Sequence, residues 1–313
     1  MGIDVGGNVK FELRKECIFP GLSSGCEKKW INLLSAKDYE SNLGNFDILY
    51  CPDCKVGFTQ PYPTAETAHF LYDTKSSSDF DVVKHSIIDS TKDFLSVRFL
   101  KKITKKKAVK AVLDFSTGNG RFALSAKRAF PSAKVDAVDF QSDAPPILKN
   151  EPLVSYVSYE QFLLQKNIKY DIVILRHVLE HSHEPVELVK MLAKYLSPDG
   201  VLYIEVPNLD SGCAKIFRGK WKLYYVPRHI FHFTPFSLKS VVQRAGLTAE
   251  IGRNEMPLMG NTLAIIFGIS QSNALVQVLG ILLHPIQLVI EKVFFSSSCI
   301  NAKCGLQKND LDL

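Results

Sequence analysis

Between residue 110 and about residue 267 the chain alternates short apolar runs with segments of helical periodicity, and this pattern restricts the fold more than any other feature. Strands buried on both faces read as continuous apolar runs, and parallel neighbours need long crossovers, usually helices. The alternation predicts an α/β domain with helices on both faces of a mainly parallel sheet. Strands are expected at 111–115, 134–139, 153–157, 171–175 and 201–206, with 249–251 and 262–267 as a later antiparallel pair at the edge. Between the fourth and fifth, Pro185 suits a first helical turn, Leu188, Leu192 and Leu196 recur at helical spacing, and Pro198-Asp199-Gly200 stops the pattern.

The chain divides into four stretches: a Cys-rich module (1–63), a helical cap or linker (64–109) broken near Ser76-Ser77-Ser78, the α/β domain (110–270) and an apolar helical tail (271–313). Seven cysteines and no apolar leader within Met1 to Lys10 point to a reducing, cytoplasmic setting. Gly6 stands where a myristoylation signal wants Ser or Thr. The net charge of +6 gathers in Lys101, Lys102, Lys105, Lys106, Lys107 and Lys110. No aromatic residue interleaves them, so they read as a solvated helix face and no nucleic-acid partner is expected. The tail segment 274–295 is apolar but interrupted by Gln277, His284, Pro285, Gln287, Glu291 and Lys292. Packing on the body comes first for it, peripheral contact with the inner face of a membrane second, and a true span last.

The sharpest local signal is Val112-Leu113-Asp114-Phe115-Ser116-Thr117-Gly118-Asn119-Gly120-Arg121-Phe122. An apolar strand carries an acid near its end, enters a Gly-rich turn and continues into a helix, a geometry that lets a ligand approach backbone closely. Asp139 ends the next strand and can accept hydrogen bonds from both hydroxyls of a ribose. Gly118 to Ala123 also fits the dinucleotide fingerprint, so a nicotinamide oxidoreductase is the competing reading. Asp114 argues against it, because a carboxylate there repels a pyrophosphate and suits the amino group of a methionine moiety. A ligand-binding relative without catalysis is the third reading.

Cys51-Pro52-Asp53-Cys54 forms a CxxC knuckle, with Cys17 and Cys26 upstream. Four thiolates satisfy a tetrahedral structural zinc, and free thiols in a module without metal are the alternative. Transfer of a group to an alcohol needs a base near neutral pH, and His177, His181, His229 and His232 are available. His229 is the first candidate and His181 the second, with His177 read as packing beside the ligand.

The stretch from Asp114 to Gly120 resembles motif I of class I S-adenosylmethionine-dependent methyltransferases, Asp-x-Gly-x-Gly-x-Gly, with Ser116 in place of the first glycine. Tyr170 to His181 is similar to the family's fourth-strand segment, and Ser197 to Asn208 to its fifth. Pro227-Arg228-His229-Ile230-Phe231-His232-Phe233-Thr234, with Ser237-Leu238 and Ala245-Gly246-Leu247, resembles a bacterial subgroup that modifies sugars or polysaccharide precursors. Val56 to Thr64 resembles the segment after the second cysteine pair in that subgroup and in sugar C-methyltransferases. The resemblance implies a doubly wound, Rossmann-like sheet of seven mostly parallel strands with the last antiparallel. It implies S-adenosylmethionine as cofactor, held by Asp114, Ser116, Gly118, Gly120, Asp139 and Arg176. In the C-methyltransferases a Glu-His pair matches Arg228-His229; Arg228 in place of the glutamate favours O-methylation of a sugar-containing or other polar small acceptor. A lipid-linked or quinone-like acceptor is the alternative that the apolar tail suggests.

Overall fold

The computed structural model describes residues 3–4, 8–17, 19, 26–27, 29–72, 87–104, 108–149, 151–165, 167–271 and 274–307. The expected helix break at Ser76–Ser78, Gly6 and the lysines 105–107 lie outside these residues.

The strands in chain order are β1 (Ile3–Asp4), β2 (Lys10–Glu12), β3 (Ile31–Lys37), β4 (Asn45–Cys51), β5 (Val56–Gln60), β6 (Tyr62–Pro63), β7 (Ala111–Phe115), β8 (Lys134–Asp139), β9 (Ser155–Ser158), β10 (Tyr170–Arg176), β11 (Leu196–Pro207), β12 (Phe231–His232), β13 (Leu247–Asn254) and β14 (Cys299–Leu306). The helices are α1 (Ile87–Ile103), α2 (Arg121–Ala129), α3 (Tyr159–Leu164), α4 (Pro185–Ala193), α5 (Gly212–Phe217), α6 (Pro235–Arg244), α7 (Met259–Phe267), α8 (Ala274–Leu282) and α9 (His284–Val293).

Seven strands form the main sheet in the order β13-β14-β11-β10-β7-β8-β9. Neighbours from β11 to β9 run parallel, while β14 is antiparallel to both β11 and β13. Alternation along the strands divides the core. Val112, Val135, Ala137, Ile172 and Ile174 face the side covered by α1 and α2, where Leu100, Ile103, Ala123 and Ala126 meet them. Leu113, Val138, Val173, Leu175 and Ile204 face α3, α4 and α6 through Phe162, Val189, Leu192, Leu238 and Val241. Such period-2 burial on both faces is what a doubly wound sheet requires.

Two expectations need correction. Residues 262–267, read as a strand, are helical: they belong to α7, where the amides of Leu258 and Met259 at its start donate to Gln287 Oε1 at 3.0 and 3.2 Å. Gly260 is required there because a Cβ would stand 2.3 Å from the Val276 carbonyl of α8. The seventh strand instead comes from within the stretch read as a helical tail. In β14, Ile300, Ala302 and Cys304 are buried, and the strand pairs along its whole length with β13. The sheet-bearing domain therefore reaches past residue 270.

Helix α9 docks through its polar residues. Glu291, 1% exposed, accepts from the Ser211 hydroxyl (2.6 Å) and the Gly212 amide (2.8 Å) at the start of α5. Leu282, Val289 and Val293 face outward, each more than 60% exposed. Among the described residues no helix is long and apolar enough to cross a membrane.

A second sheet, β12-β5-β4-β3, links the Cys-rich module to the main domain. Its junction is β12 against β5, where Phe231 pairs with Phe58 and His232 with Gly57.

Candidate functional site

In doubly wound sheets ligands bind at the carboxyl ends of the strands, where the winding direction reverses. That point lies between β7 and β10, and the loops leaving both strands carry most of the candidate residues. The turn after β7 is Ser116 to Gly120. Ser116 (φ 62°), Gly118 (φ 56°) and Gly120 (φ 81°) all occupy the left-handed region. Ser116 thus adopts the backbone that a glycine would supply at its position, at a cost of roughly 1–2 kcal/mol. Gly120 caps α2, and a Cβ on it would lie 2.6 Å from Leu148 Cγ.

Two carboxylates stand at the turn. Asp139 Oδ2 accepts from the Gly118 amide at 2.7 Å and Oδ1 from Phe140 at 2.8 Å. Each oxygen keeps a further lone pair, the inventory a ribose diol needs. Burial raises the Asp139 pKa, opposed by these amides. Asp114 accepts from the Thr117 hydroxyl at 2.6 Å, and burial pushes its pKa up to about 6. Phe140, 66% exposed beside Asp139, has its ring centroid 4.6 Å from that of Tyr159. The two rings offer an apolar face next to Asp139, and sequence reasoning missed them.

Arg176, at the end of β10, donates from Nε and Nη2 to Glu205 Oε1 at 3.1 and 2.9 Å and lies over the Phe122 ring. Tyr203 and Asn254 donate to the other oxygen of Glu205, at 2.8 and 2.6 Å. Burial opposes ionisation of Glu205, but Arg176 and His177 outweigh it and hold its pKa far below the usual carboxylate range. The guanidinium is therefore committed to a neighbour and meets the pocket through its field on Asp114.

His177 (φ 53°) opens the next loop, with Nδ1 3.4 Å from Glu180 and Nε2 3.4 Å from Glu205. Burial disfavours its charge, yet the two carboxylates prevail and its pKa is raised to about 9. His181 and His229 meet edge to face, ring centroids 4.6 Å apart. His229 Nδ1 lies 2.9 Å from the Leu223 carbonyl, which can only accept, so the proton sits on Nδ1 and leaves Nε2 bare. Burial, reinforced by His181 and His232, holds His229 well below the ordinary imidazole value, so the ring is neutral. His232 instead bonds the Thr59 hydroxyl (2.8 Å), which also donates to the His229 carbonyl (2.6 Å). Arg228 turns away from the cluster, its Nη2 donating to the Leu71 carbonyl and the Ser41 hydroxyl at 2.6 and 2.8 Å.

The segment ahead of the main sheet reaches this cluster through Tyr72. Tyr72 OH lies 2.8 Å from His181 Nδ1, and the Ile230 amide donates to the Glu180 carbonyl at 2.8 Å. In the N-terminal module Cys17, Cys26, Cys51 and Cys54 come together, their sulfurs all within 4.8 Å of one another. Tetrahedral zinc with Zn–S bonds of about 2.3 Å separates its sulfurs by about 3.8 Å. Cys26 and Cys51 stand at 3.8 Å. The Cys54 amide points at Cys51 Sγ (3.4 Å), so the backbone already faces the charge a thiolate would carry. The donor set fits zinc despite the eight residues between Cys17 and Cys26.

Residues 87–250 match the family described as "Methyltransferase domain". The chain belongs to this methyltransferase family. It is similar to a malonyl-[acyl-carrier protein] O-methyltransferase of Halalkalibacterium halodurans, 26% identical over 146 residues, covering 44% of this chain and 54% of that protein. It is also similar to a ubiquinone biosynthesis O-methyltransferase of Hydrogenovibrio crunogenus, 28% identical over 156 residues, covering 46% of this chain and 64% of that protein. The methyltransferase thus spans between half and two thirds of the length of these two relatives. Among solved structures, the plantazolicin methyltransferase BpumL in complex with SAH aligns with a TM-score of 0.47 at 17% identity, covering 71% of this chain and 86% of that one. Membership in this family makes S-adenosylmethionine the cofactor, and the Asp114–Gly120 turn and Asp139 offer groups compatible with it.

Proposed function

We propose that this methyltransferase moves the methyl group of S-adenosylmethionine to a hydroxyl of a sugar-containing or similar polar small acceptor. The observation that carries the reading is the bare Nε2 of neutral His229, at the carboxyl-end side of the sheet and 3.8 Å from Glu180. Methyl transfer is an in-line displacement, so the protein's main tasks are alignment and exclusion of water. An alcohol must also lose its proton, and His229 is the acceptor for it. The oxygen attacks the methyl carbon, the carbon–sulfur bond breaks, and sulfur keeps the electron pair as a neutral thioether. Glu180 steadies the imidazolium that forms. Zinc on the four cysteines serves structure: it fixes the Cys51–Cys54 turn between β4 and β5, and β5 in turn carries β12 and the His229 loop.

A second reading, a lipid-linked or quinone-like acceptor, draws support from the outward apolar residues of α8 and α9. The test is incorporation of labelled methyl into panels of sugar nucleotides, lipid-linked sugars and phenols. His229→Ala is expected to lower turnover about 10²–10⁴-fold with cofactor affinity unchanged. Turnover in the variant close to that of the native chain would remove His229 as the proton acceptor.

A further inference from the structure

Helix α9 is amphipathic in reverse. Its inward face carries Gln287 and Glu291, one turn apart, both buried and hydrogen-bonded. Ile286, Val289 and Val293, at helical spacing on the other side, are exposed. Helix α8 repeats the outward stripe with Val278, Leu279 and Leu282, while its Val276 and Gly280 lie against Gly260 of α7. Single exposed apolar residues need no explanation, but a stripe continued over two neighbouring helices marks a contact surface. The end of α9 adds to it. Phe295 occupies the left-handed region (φ 51°), where a helix ordinarily ends on glycine, and is 81% exposed. A bulky side chain is strained there, and a ring so open gains little from packing within the chain, which points to a partner outside it.

Charge narrows the partner. Helices α5, α7, α8 and α9, with the 218–220 turn, carry the exposed cations Lys215, Arg218, Lys220 and Lys292. Lys215 Nζ lies over the ring of Phe294, so the cations adjoin the apolar face. The carboxylate of these elements, Glu291, is buried on Ser211, and Glu255 ahead of α7 accepts from Ser298; Asp210 is the exposed acid beside α5. Length narrows it further. At 1.5 Å per residue the helices reach only about 15 Å, against a hydrocarbon core of about 30 Å, so they can lie in a membrane interface but not cross it. Topology sets the orientation. β11 ends at Pro207 opposite Cys299, where β14 begins, and β13 ends at Asn254 opposite the same residue. Helices α5, α7 and α9 are therefore joined to the carboxyl end of the sheet, the end that bears the Asp114–Gly120 turn.

We propose that the outer face of α8 and α9 docks on an anionic phospholipid membrane surface. The apolar stripes and Phe295 enter the boundary between headgroups and acyl chains, and the lysines and Arg218 stay among the phosphates. Charge decides this occupant over a second copy of the chain. A two-fold dimer joins the same patch on both subunits, and here it would set cations against cations. Docking is independent of the proposed methyl transfer and holds for any acceptor.

The test is co-sedimentation of the full chain with vesicles of phosphatidylcholine alone and of phosphatidylcholine with about one part in three of phosphatidylglycerol. The anionic vesicles should bind roughly tenfold more tightly or better, and Lys215→Gln or Lys292→Gln should each weaken that binding about fivefold. Val289→Ser combined with Val293→Ser should weaken it about tenfold or more. Phe295→Gly separates docking from folding. It relieves the left-handed residue, so the melting temperature should hold or rise while vesicle binding falls roughly tenfold. No association with anionic vesicles, equal affinity for both vesicle types, or binding that the valine and Phe295 variants leave unchanged overturns the proposal. So does a dimer in sedimentation equilibrium that the valine variant dissociates, because a second copy would then cover this face.

Discussion

The cofactor's amino group should be read by Asp114, and the structure turns this into a pH-dependent affinity. Asp114 sits at the end of β7, accepts from the Thr117 hydroxyl, and has its pKa set at about 6 by burial. The ammonium of S-adenosylmethionine binds the carboxylate and not the acid. Affinity should therefore be full above about pH 7 and fall tenfold per unit below 6, which makes it roughly elevenfold weaker at pH 5. Each tenfold step is about 1.4 kcal/mol. Calorimetric titration with S-adenosylhomocysteine between pH 8 and pH 5 measures this directly. Methylthioadenosine, which lacks the amino-acid arm, supplies the control and should show a much flatter profile. Asp114→Asn should flatten the profile for the full ligand too, at a cost of about 1.5–3 kcal/mol at pH 8. Affinity for S-adenosylhomocysteine that stays constant down to pH 5, or a fragment that tracks the same curve, would refute the assignment.

Elemental analysis should find close to one zinc per chain in the cysteine centre, and Cys54→Ser should bring that below half while lowering the melting temperature. Gly120→Ala places a methyl 2.6 Å from Leu148 at φ +81°; a loss of about 2–4 kcal/mol from overpacking and backbone strain is expected in denaturant titration. For His177, the folded value of about 9 lies above the unfolded 6.5. Its contribution is complete below pH 6.5 and disappears as the pH rises through 9. The gap corresponds to roughly 3 kcal/mol. The native chain should lose that much more stability between pH 6 and pH 10 than His177→Asn, and parallel curves would exclude the Glu180–His177–Glu205 arrangement.

The parallel part of the sheet was legible because buried strands such as Asp171-Ile172-Val173-Ile174-Leu175 announce themselves as unbroken apolar runs. The antiparallel strand was not. In Cys299 to Leu306 the inward positions are Ile300, Ala302 and Cys304, only one of them strongly apolar, with Asn301 and Lys303 between, so the alternation carries little hydrophobic contrast. Residues 262–267 misled for the opposite reason: a short apolar run has no readable period, and its helical state depends on Gln287, a residue distant in sequence. Gln287 and Glu291 looked like interruptions of an apolar helix, whereas they are its buried docking points. At the site, the turn residues and the cysteine set could be named from spacing, because glycines and CxxC pairs act locally. Glu180 and Glu205 could not be weighed, since the burial of a carboxylate between histidines is a property of the assembled loops. A signal did exist for Glu180: an acid directly after the apolar Val178-Leu179 and beside His181.

The place of β14 sets a constraint on how the chain can be made. β13 never touches β11; the strand between them is synthesised last of the three. When β13 leaves the ribosome, the edge of β11 is open and the partner of β13 does not yet exist. Until residue 306 emerges, two strand edges stay unpaired, the state in which nascent sheets are most exposed to pairing with other chains. Of the helices made in that interval, α9 docks through buried polar contacts at Gln287 and Glu291. A premature stop anywhere in 270–298 would therefore remove a keystone rather than a tail, and leave the half-built sheet to aggregation and to the cell's proteases.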